Sequence, residues 1–190
     1  VQLSKLEFLN LGGCSNLTNT AVRELLTSNG STLILLDLSR TNISDAALVG
    51  VQLSNLKDLD LGYCSNLTKT GVQELLTTIG STLIILDLRW TNISDAALVG
   101  VQLPKLEHLN LSGCSNLANT GVLELLTTNG STLTLLNLCG TNISDAALVG
   151  VQLPKLEHLG LFGCMNFTLT NTEVKKLLRR NGGNPSTCLD

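Results

Sequence analysis

Charge is scarce in this chain. Only 14% of its 190 residues are Asp, Glu, Lys or Arg, and the formal net charge is −3. No global basic field is therefore available to attract nucleic acid or anionic lipid. Long apolar runs are missing too: no stretch approaches the ~18–20 residues that a membrane span requires. No signal or transit peptide opens the sequence. Val1-Gln2-Leu3 repeats the joint Val51-Gln52-Leu53, so the chain starts in mid-pattern and reads as a piece of a longer array. There is no phosphate-cradling loop, no metal-ligand cluster and no catalytic triad order. Neither a cofactor nor an enzymatic activity is expected. The two histidines, His108 and His158, fall in one column but roughly 10 Å apart, too far to share a metal ion.

What is present is repetition. Leu56 to Leu67 reads LKDLDLGYCSNL, and nearly the same words recur from Leu6, Leu106 and Leu156, fifty residues apart. A shorter cousin lies between them: LILLDLSRTNI from Leu33, LIILDLRWTNI from Leu83 and LTLLNLCGTNI from Leu133. The spacing L-x-x-L-x-L-x-x-C-x-x-L is the signature of a leucine-rich repeat with cysteine in the asparagine slot. Each fifty-residue block holds units of 27 and 23 residues. In the long unit, alternating leucines (Leu6, Leu9, Leu11) predict a short strand. Thr20 is read as the N-cap of a helix over 21–29 that buries Val22, Leu25 and Leu26, and Gly30 as its left-handed stop. In the short unit a strand over 33–38 leads to a stubby helix around Ala46 to Val49, capped by Ser44-Asp45 and ended by Gly50. The last block adds a strand over 156–161 and a helix over 173–180.

The expected fold is an α/β leucine-rich-repeat solenoid of about seven units. Parallel strands line the concave face and helices the convex one, because helices are wider than strands. The repeat domain is placed at 1–181, with 182–190 as a tail or partial cap. Cys14, Cys64, Cys114 and Cys164 come once per two units, roughly 10 Å apart, whereas a disulfide needs Cα atoms within ~7 Å. They are expected to be buried free thiols, which suits a reducing, cytoplasmic setting. N-x-S/T triplets such as those at Asn16, Asn29 and Asn42 are read as by-products of the repetition.

The long unit, for example LEFLNLGGCSNLTNTAVRELL, resembles the cysteine-containing repeats of F-box substrate receptors and their relatives. The short unit, TNISDAAL, resembles the T-x-I-x-D repeats of many bacterial and protist proteins. The resemblance covers residues 1 to about 180. It implies a solenoid and, by analogy only, a recognition function.

Comparing the blocks with one another locates a candidate face. Blocks one (1–50) and two (51–100) differ at 13 of 50 positions, 7 of them among ten positions predicted to face the concave side. Blocks two and three (101–150) differ at 16, and all ten concave positions are among them. The exposed helix faces do not scatter in this way: Glu24, Glu74 and Glu124 match, as do Thr27, Thr77 and Thr127. The pattern points to a concave face diversified for binding. Drift after recent duplication, or an engineered consensus with a varied face, would leave a similar one.

The single tryptophan, Trp90, and single tyrosine, Tyr63, fall on this face in equivalent columns, flanked by Arg40 and Arg89. Trp, Tyr and Arg most often dominate interface energies. Asp37, Asp60 and Asp87 form an acidic column continued by Asn10, Asn110 and Asn137. The candidate ligand-binding set is Asp37, Arg40, Asp60, Tyr63, Asp87, Arg89, Trp90, His108 and Asn110. An alternative assigns the Asp/Asn column to hydrogen bonds along the ladder. Cys139 is expected to be accessible on the concave face, but no histidine or acid stands at catalytic spacing from it. The basic run Lys175-Lys176 with Arg179-Arg180 is read as a solvated helix face.

The function expected is non-enzymatic recognition of a protein ligand: the sensing part of an immune-type receptor, substrate capture for a ubiquitin ligase, or a regulatory scaffold. The uncovered edge strand near Leu6 is a place where copies could pair.

Overall fold

The computed structural model describes Leu3, residues 5–168, and beyond them Thr172, Lys175, Lys176 and Arg179. The helix expected over 173–180 falls mostly outside the described residues, and the tail at 182–190, with Cys188, entirely so.

Seven three-residue strands form one parallel sheet in chain order: β1 (Phe8–Asn10), β2 (Leu35–Asp37), β3 (Asp58–Asp60), β4 (Ile85–Asp87), β5 (His108–Asn110), β6 (Leu135–Asn137) and β7 (His158–Gly160). Three α-helices are bounded within the described residues and follow β1, β3 and β5: α1 (Asn19–Asn29), α2 (Lys69–Ile79) and α3 (Asn119–Asn129). Short 3-10 helices, Asp45–Ala47, Asp95–Ala97 and Asp145–Leu148, follow the even ones. This is the α/β solenoid that the periodicity predicts. The strands are shorter than the leucine pattern, but backbone bonding runs past them: Leu11 N–H donates to the Asp37 carbonyl and Gly13 N–H to that of Ser39, both at 2.8 Å.

The register places Leu9, Leu36, Leu59, Leu86, Leu109, Leu136 and Leu159 in one row, turned into the core. The core is continuous from Val22 to Cys164, each unit covering the next. The first unit lacks such cover. Leu6, Leu9, Leu11 and Leu17 are only partly buried, and Leu11, Leu17, Val22 and Leu25 border an open hollow of about 430 Å³. Cys14 is exposed for the same reason, contrary to the expectation that all four repeat cysteines are buried; Cys64, Cys114 and Cys164 are buried.

Each of these thiols has a partner. Cys64 Sγ lies 3.1 Å from the Leu38 carbonyl and 3.5 Å from Thr41 Oγ1, and Thr41 itself donates to Leu38 at 2.7 Å. Cys114 with Thr91, and Cys164 with Thr141, repeat the arrangement. One carbonyl per block is thus shared by a hydroxyl and a thiol. The next unit is tied on by a carboxylate: Asp45 accepts from Thr68 N–H at 2.8 Å, Asp95 from Ala118 N–H at 2.7 Å, and Asp145 from Thr168 N–H at 3.0 Å.

Two local expectations are corrected. The first helix begins earlier: Thr18, not Thr20, is its N-cap, accepting from Ala21 N–H at 3.2 Å. Gly30 is not left-handed but αR, with φ −62°. A Cβ there would lie 2.4 Å from the Gln52 carbonyl and 2.7 Å from Leu53 Cδ2, so glycine is required for close packing of the next unit. Gly50, with φ +75°, is the left-handed stop. Asn29 and Asn129 are buried; Asn129 accepts from Leu103 N–H at 2.6 Å and donates to the Val101 and Leu125 carbonyls at 3.0 Å. The asparagine side chains of these two triplets are therefore closed off within the fold.

These contacts predict that Gly80→Ala is destabilising although its backbone suits alanine. The new Cβ would fall 2.3 Å from the Gln102 carbonyl. A loss of roughly 1–3 kcal/mol from overpacking is expected in urea unfolding, exceeding the ~1 kcal/mol that Gly→Ala contributes within a helix.

Candidate functional site

The turn that follows each strand needs one residue in the left-handed region. Four of the seven places hold glycine: Gly13 (φ +76°), Gly113 (+70°), Gly140 (+66°) and Gly163 (+76°). The other three are consecutive and hold Arg40 (φ 56°), Tyr63 (62°) and Trp90 (55°), which are the positive-φ residues other than glycine among those described. A non-glycine residue there costs roughly 1–2 kcal/mol, so the three together cost about 3–6 kcal/mol.

The side chains recover part of that. The Tyr63 and Trp90 rings are stacked, with centroids 6.2 Å apart and planes 11° from parallel. The Arg40 guanidinium lies 4.7 Å over the Tyr63 ring, and that of Arg89 lies 6.0 Å from it. An aromatic pair contributes about 0.5–1.5 kcal/mol, and an exposed cation–π contact about 0.5–1 kcal/mol. The stack does not balance the strain. Nor does burial, because Tyr63 is 39% exposed and Trp90 56%.

Beyond Trp90 the column becomes a shelf. The indole lies over Gly113, where a Cβ would sit 2.4 Å from its ring. Over Gly140 and Gly163 the space is open: their Cβ positions would meet nothing nearer than backbone at 3.5 Å. Arg40, Tyr63, Arg89 and Trp90 line one side of a groove of about 650 Å³. Gly113, Gly140, Gly163, Ser112 and Cys139 floor the rest, and Phe162, 56% exposed, bounds it. Cys139 is itself buried, at 2% exposure, rather than accessible as expected. It lies under the shelf, its Sγ 3.0 Å from the position a Cβ of Gly160 would take.

The groove thus unites Arg40, Tyr63, Arg89 and Trp90 of the expected set. His108 and Asn110 lie apart from it, in a smaller depression of about 160 Å³ that also takes in Asp87 and Arg89. Asp37, Asp60 and Asp87 stand in register beneath, between Asn10 and Asn110. Each holds its own turn: Asp37 accepts from Ser39 N–H at 2.9 Å, Asp60 from Gly62 N–H at 2.7 Å and Asp87 from Arg89 N–H at 2.9 Å. Asn10, Asn110 and Asn137 do the same for residues 12, 112 and 139. These bonds stay within each turn, whereas the alternative reading of this column places them along the ladder, as Asn110 to Asp87 does. The glycine shelf and Phe162 fall outside the set read from the sequence. Their signal was glycine at 13, 113, 140 and 163, which marks a left-handed slot that three large residues share.

Arg89 is held from below. Its Nη2 lies 3.7 Å from Asp60 and its Nε 3.5 Å from Asp87, too long and misaligned for Nε to form a hydrogen bond. Asn110 Nδ2 also donates to Asp87, at 3.1 Å. Burial nevertheless outweighs these partners and raises the Asp87 pKa from 3.8 to about 6; Asp60 is raised as well, again mainly by burial. Among the described residues no group of three or more His, Cys, Asp or Glu is placed to hold a metal ion.

The folded protein binds the Asp87 proton more tightly than the unfolded chain does. This residue therefore makes stability fall as pH rises between about 4 and 6. Asp87→Asn retains the oxygen that holds the turn. It is expected to be at least as stable as wild type at pH 7.5 and to flatten the pH dependence of the urea midpoint across that window. Arg40→Gly relieves one strained residue and is expected to gain about 1 kcal/mol in the same assay.

The family model described as Leucine Rich repeat matches residues 52–76, 81–101 and 102–126. No curated protein sequence matches the chain. Among solved structures, a chain of the yeast Rad7 and Elc1 complex superposes with a TM-score of 0.68 at 20% identity. The match covers 82% of the present chain and 42% of that one, so this chain spans about two fifths of its neighbour's length. No helix among the described residues is long and apolar enough to cross a membrane. Repeat spacing, parallel sheet and matched units agree on the fold, a leucine-rich-repeat solenoid in which long, cysteine-bearing units alternate with short T-x-I-x-D units.

Proposed function

We propose that this chain is a non-enzymatic recognition module that holds a protein ligand on its concave face, centred on Arg40, Tyr63, Arg89 and Trp90. One observation carries the reading: three consecutive units place a large, exposed side chain where the backbone calls for glycine. That choice costs stability and gives little back within the fold, and strain of this kind collects at functional sites. The residues are also those of binding hot spots.

The charge of the face favours protein over nucleic acid. Asp37, Asp58, Asp60 and Asp87 share it with the two arginines, so a polyphosphate would meet as much repulsion as attraction. The similar solenoid in the Rad7 and Elc1 complex belongs to an assembly of two proteins, which supports the same choice. Concave positions that vary while helix positions persist favour the sensing part of an immune-type receptor over a passive scaffold. Thiols that serve as hydrogen-bonding members of the core favour a reducing, cytoplasmic setting. The open hollow beside β1 is where a second copy or a neighbouring unit would pair.

The test compares wild type with Tyr63→Gly/Arg89→Ala/Trp90→Gly as baits in affinity capture. Glycine is chosen at 63 and 90 because it keeps the left-handed turns. The variant is expected to stay folded by circular dichroism and to lose the captured proteins at least tenfold. Equal capture by both baits would move the function away from this face.

A further inference from the structure

The reading of the concave face as a recognition surface leaves the ligand's chemistry open, and the groove narrows it. We infer that the groove takes an extended protein segment that lays an aromatic side chain on the open shelf of Gly140 and Gly163, beside the Trp90 indole that covers Gly113, and sets a carboxylate on Arg40. This inference rests on the proposed recognition function and goes on to name the ligand.

The shelf offers little to a charged or strongly hydrogen-bonding group. Its floor has no side chain at three successive positions, and the N–H groups of Gly113 and Gly140 are already donated to the Cys139 and Phe162 carbonyls. Cys139 and Ser112 are buried beneath it. Trp90 stands at one end and Phe162 at the other, both 56% exposed. A flat, apolar group fits such a floor. An aromatic ring also continues the series of Arg40, Tyr63 and Trp90, in which each member already lies against its neighbour.

The cations at the other end differ in their freedom. Arg89 is engaged by Asp60 and Asp87. Arg40 is exposed and lies over the Tyr63 ring; among the described residues no carboxylate comes within 4.0 Å of it, and Asp60 feels its charge from farther off. No acidic residue lines the groove. Its least compensated charge is therefore the positive one at Arg40, which suits a negative group on the ligand. With strands about 4.8 Å apart, a ring resting beyond Trp90 lies roughly 15 Å from the Arg40 guanidinium. An extended chain spans that distance in about four to five residues. Aromatic and acidic residues separated by that interval are the expected ligand signature.

The experiment selects a phage-displayed library of random dodecapeptides on the wild-type chain. Selected peptides are then measured by fluorescence anisotropy against four variants: Gly140→Asn, Phe162→Ala, Arg40→Gly and Trp90→Gly. Asparagine tolerates the left-handed turn and fills the shelf. Phe162→Ala changes an exposed side chain and tests the shelf should Gly140→Asn fail to fold. Expected are peptides pairing Phe, Tyr or Trp with Asp or Glu at that interval. They should weaken tenfold or more with Gly140→Asn, Arg40→Gly and Trp90→Gly, and severalfold with Phe162→Ala. Changing the peptide's acid to its amide should weaken binding to wild type and leave binding to Arg40→Gly unaltered. Selected peptides that lack the acid, or whose affinity withstands Gly140→Asn, Phe162→Ala and Arg40→Gly, would overturn the inference. If such peptides still fail on His108→Ala or Tyr63→Gly, recognition by the concave face stands and only this ligand falls. If no selected peptide responds to any concave substitution, or none is selected, both readings fall together.

Discussion

The row from Leu9 to Leu159 runs through all seven strands in strict register, and the rest of the molecule depends on it. A slip of one residue in any strand would carry its leucine from core to solvent and, in every strand but β7, its Asp or Asn into the core. The penalty is large on both counts, so the register is tightly held. Because it is held, residues fifty positions apart in sequence stand in line on one wall. The Asp/Asn column then braces the turn after each strand but β7, and the left-handed slot three residues later inherits its position from that brace. Site geometry therefore follows from core packing rather than from contacts within the site.

The stack of Arg40, Tyr63 and Trp90 illustrates how a candidate site is set on such a frame. Elsewhere in this chain the local choice agrees with the fold: Gly30, Gly80 and Gly130 make room for the next unit, and Gly50, Gly100 and Gly150 end the short helices. At three adjacent turns it does not. The cost is spread over separate units, each tied to its neighbours by a sheet ladder, a shared carbonyl and an aspartate. A solenoid tolerates this because each unit's stability is largely a sum of local terms and the interfaces on either side.

Much of this architecture was legible in the sequence. The period of fifty, the leucine spacing and the turn residues fix strand order and inner face, and Tyr63 and Trp90 were placed as neighbours by counting alone. What periodicity could not supply was close approach. Gly30 reads as a helix stop because glycine there has two possible reasons, and the Gln52 carbonyl comes beside it only once the units stack. Cys139 reads as accessible because its position alternates outward, yet the shelf above it is so flat that neighbouring backbone closes over the thiol. Cys14 reads as buried because its counterparts are, although burial in a repeat comes from the preceding unit. The shelf itself is a feature of missing side chains, which a search for reactive or bulky residues passes over.

The thirteen residues 41–53, TNISDAALVGVQL, recur without change at 91–103 and 141–153. They carry the aspartate that ties one unit to the next and end on the leucine that closes the core. Every seam between cassettes is therefore interchangeable. Excising residues 51–100 would join Gly50 to Val101 in the same local sequence, and the interior would meet as before. On the inner wall the outcome would be different: Arg40 would come to lie beside Gly113, with neither ring between them. Recombination at the seams can thus rewrite the face in single steps while leaving the interior untouched.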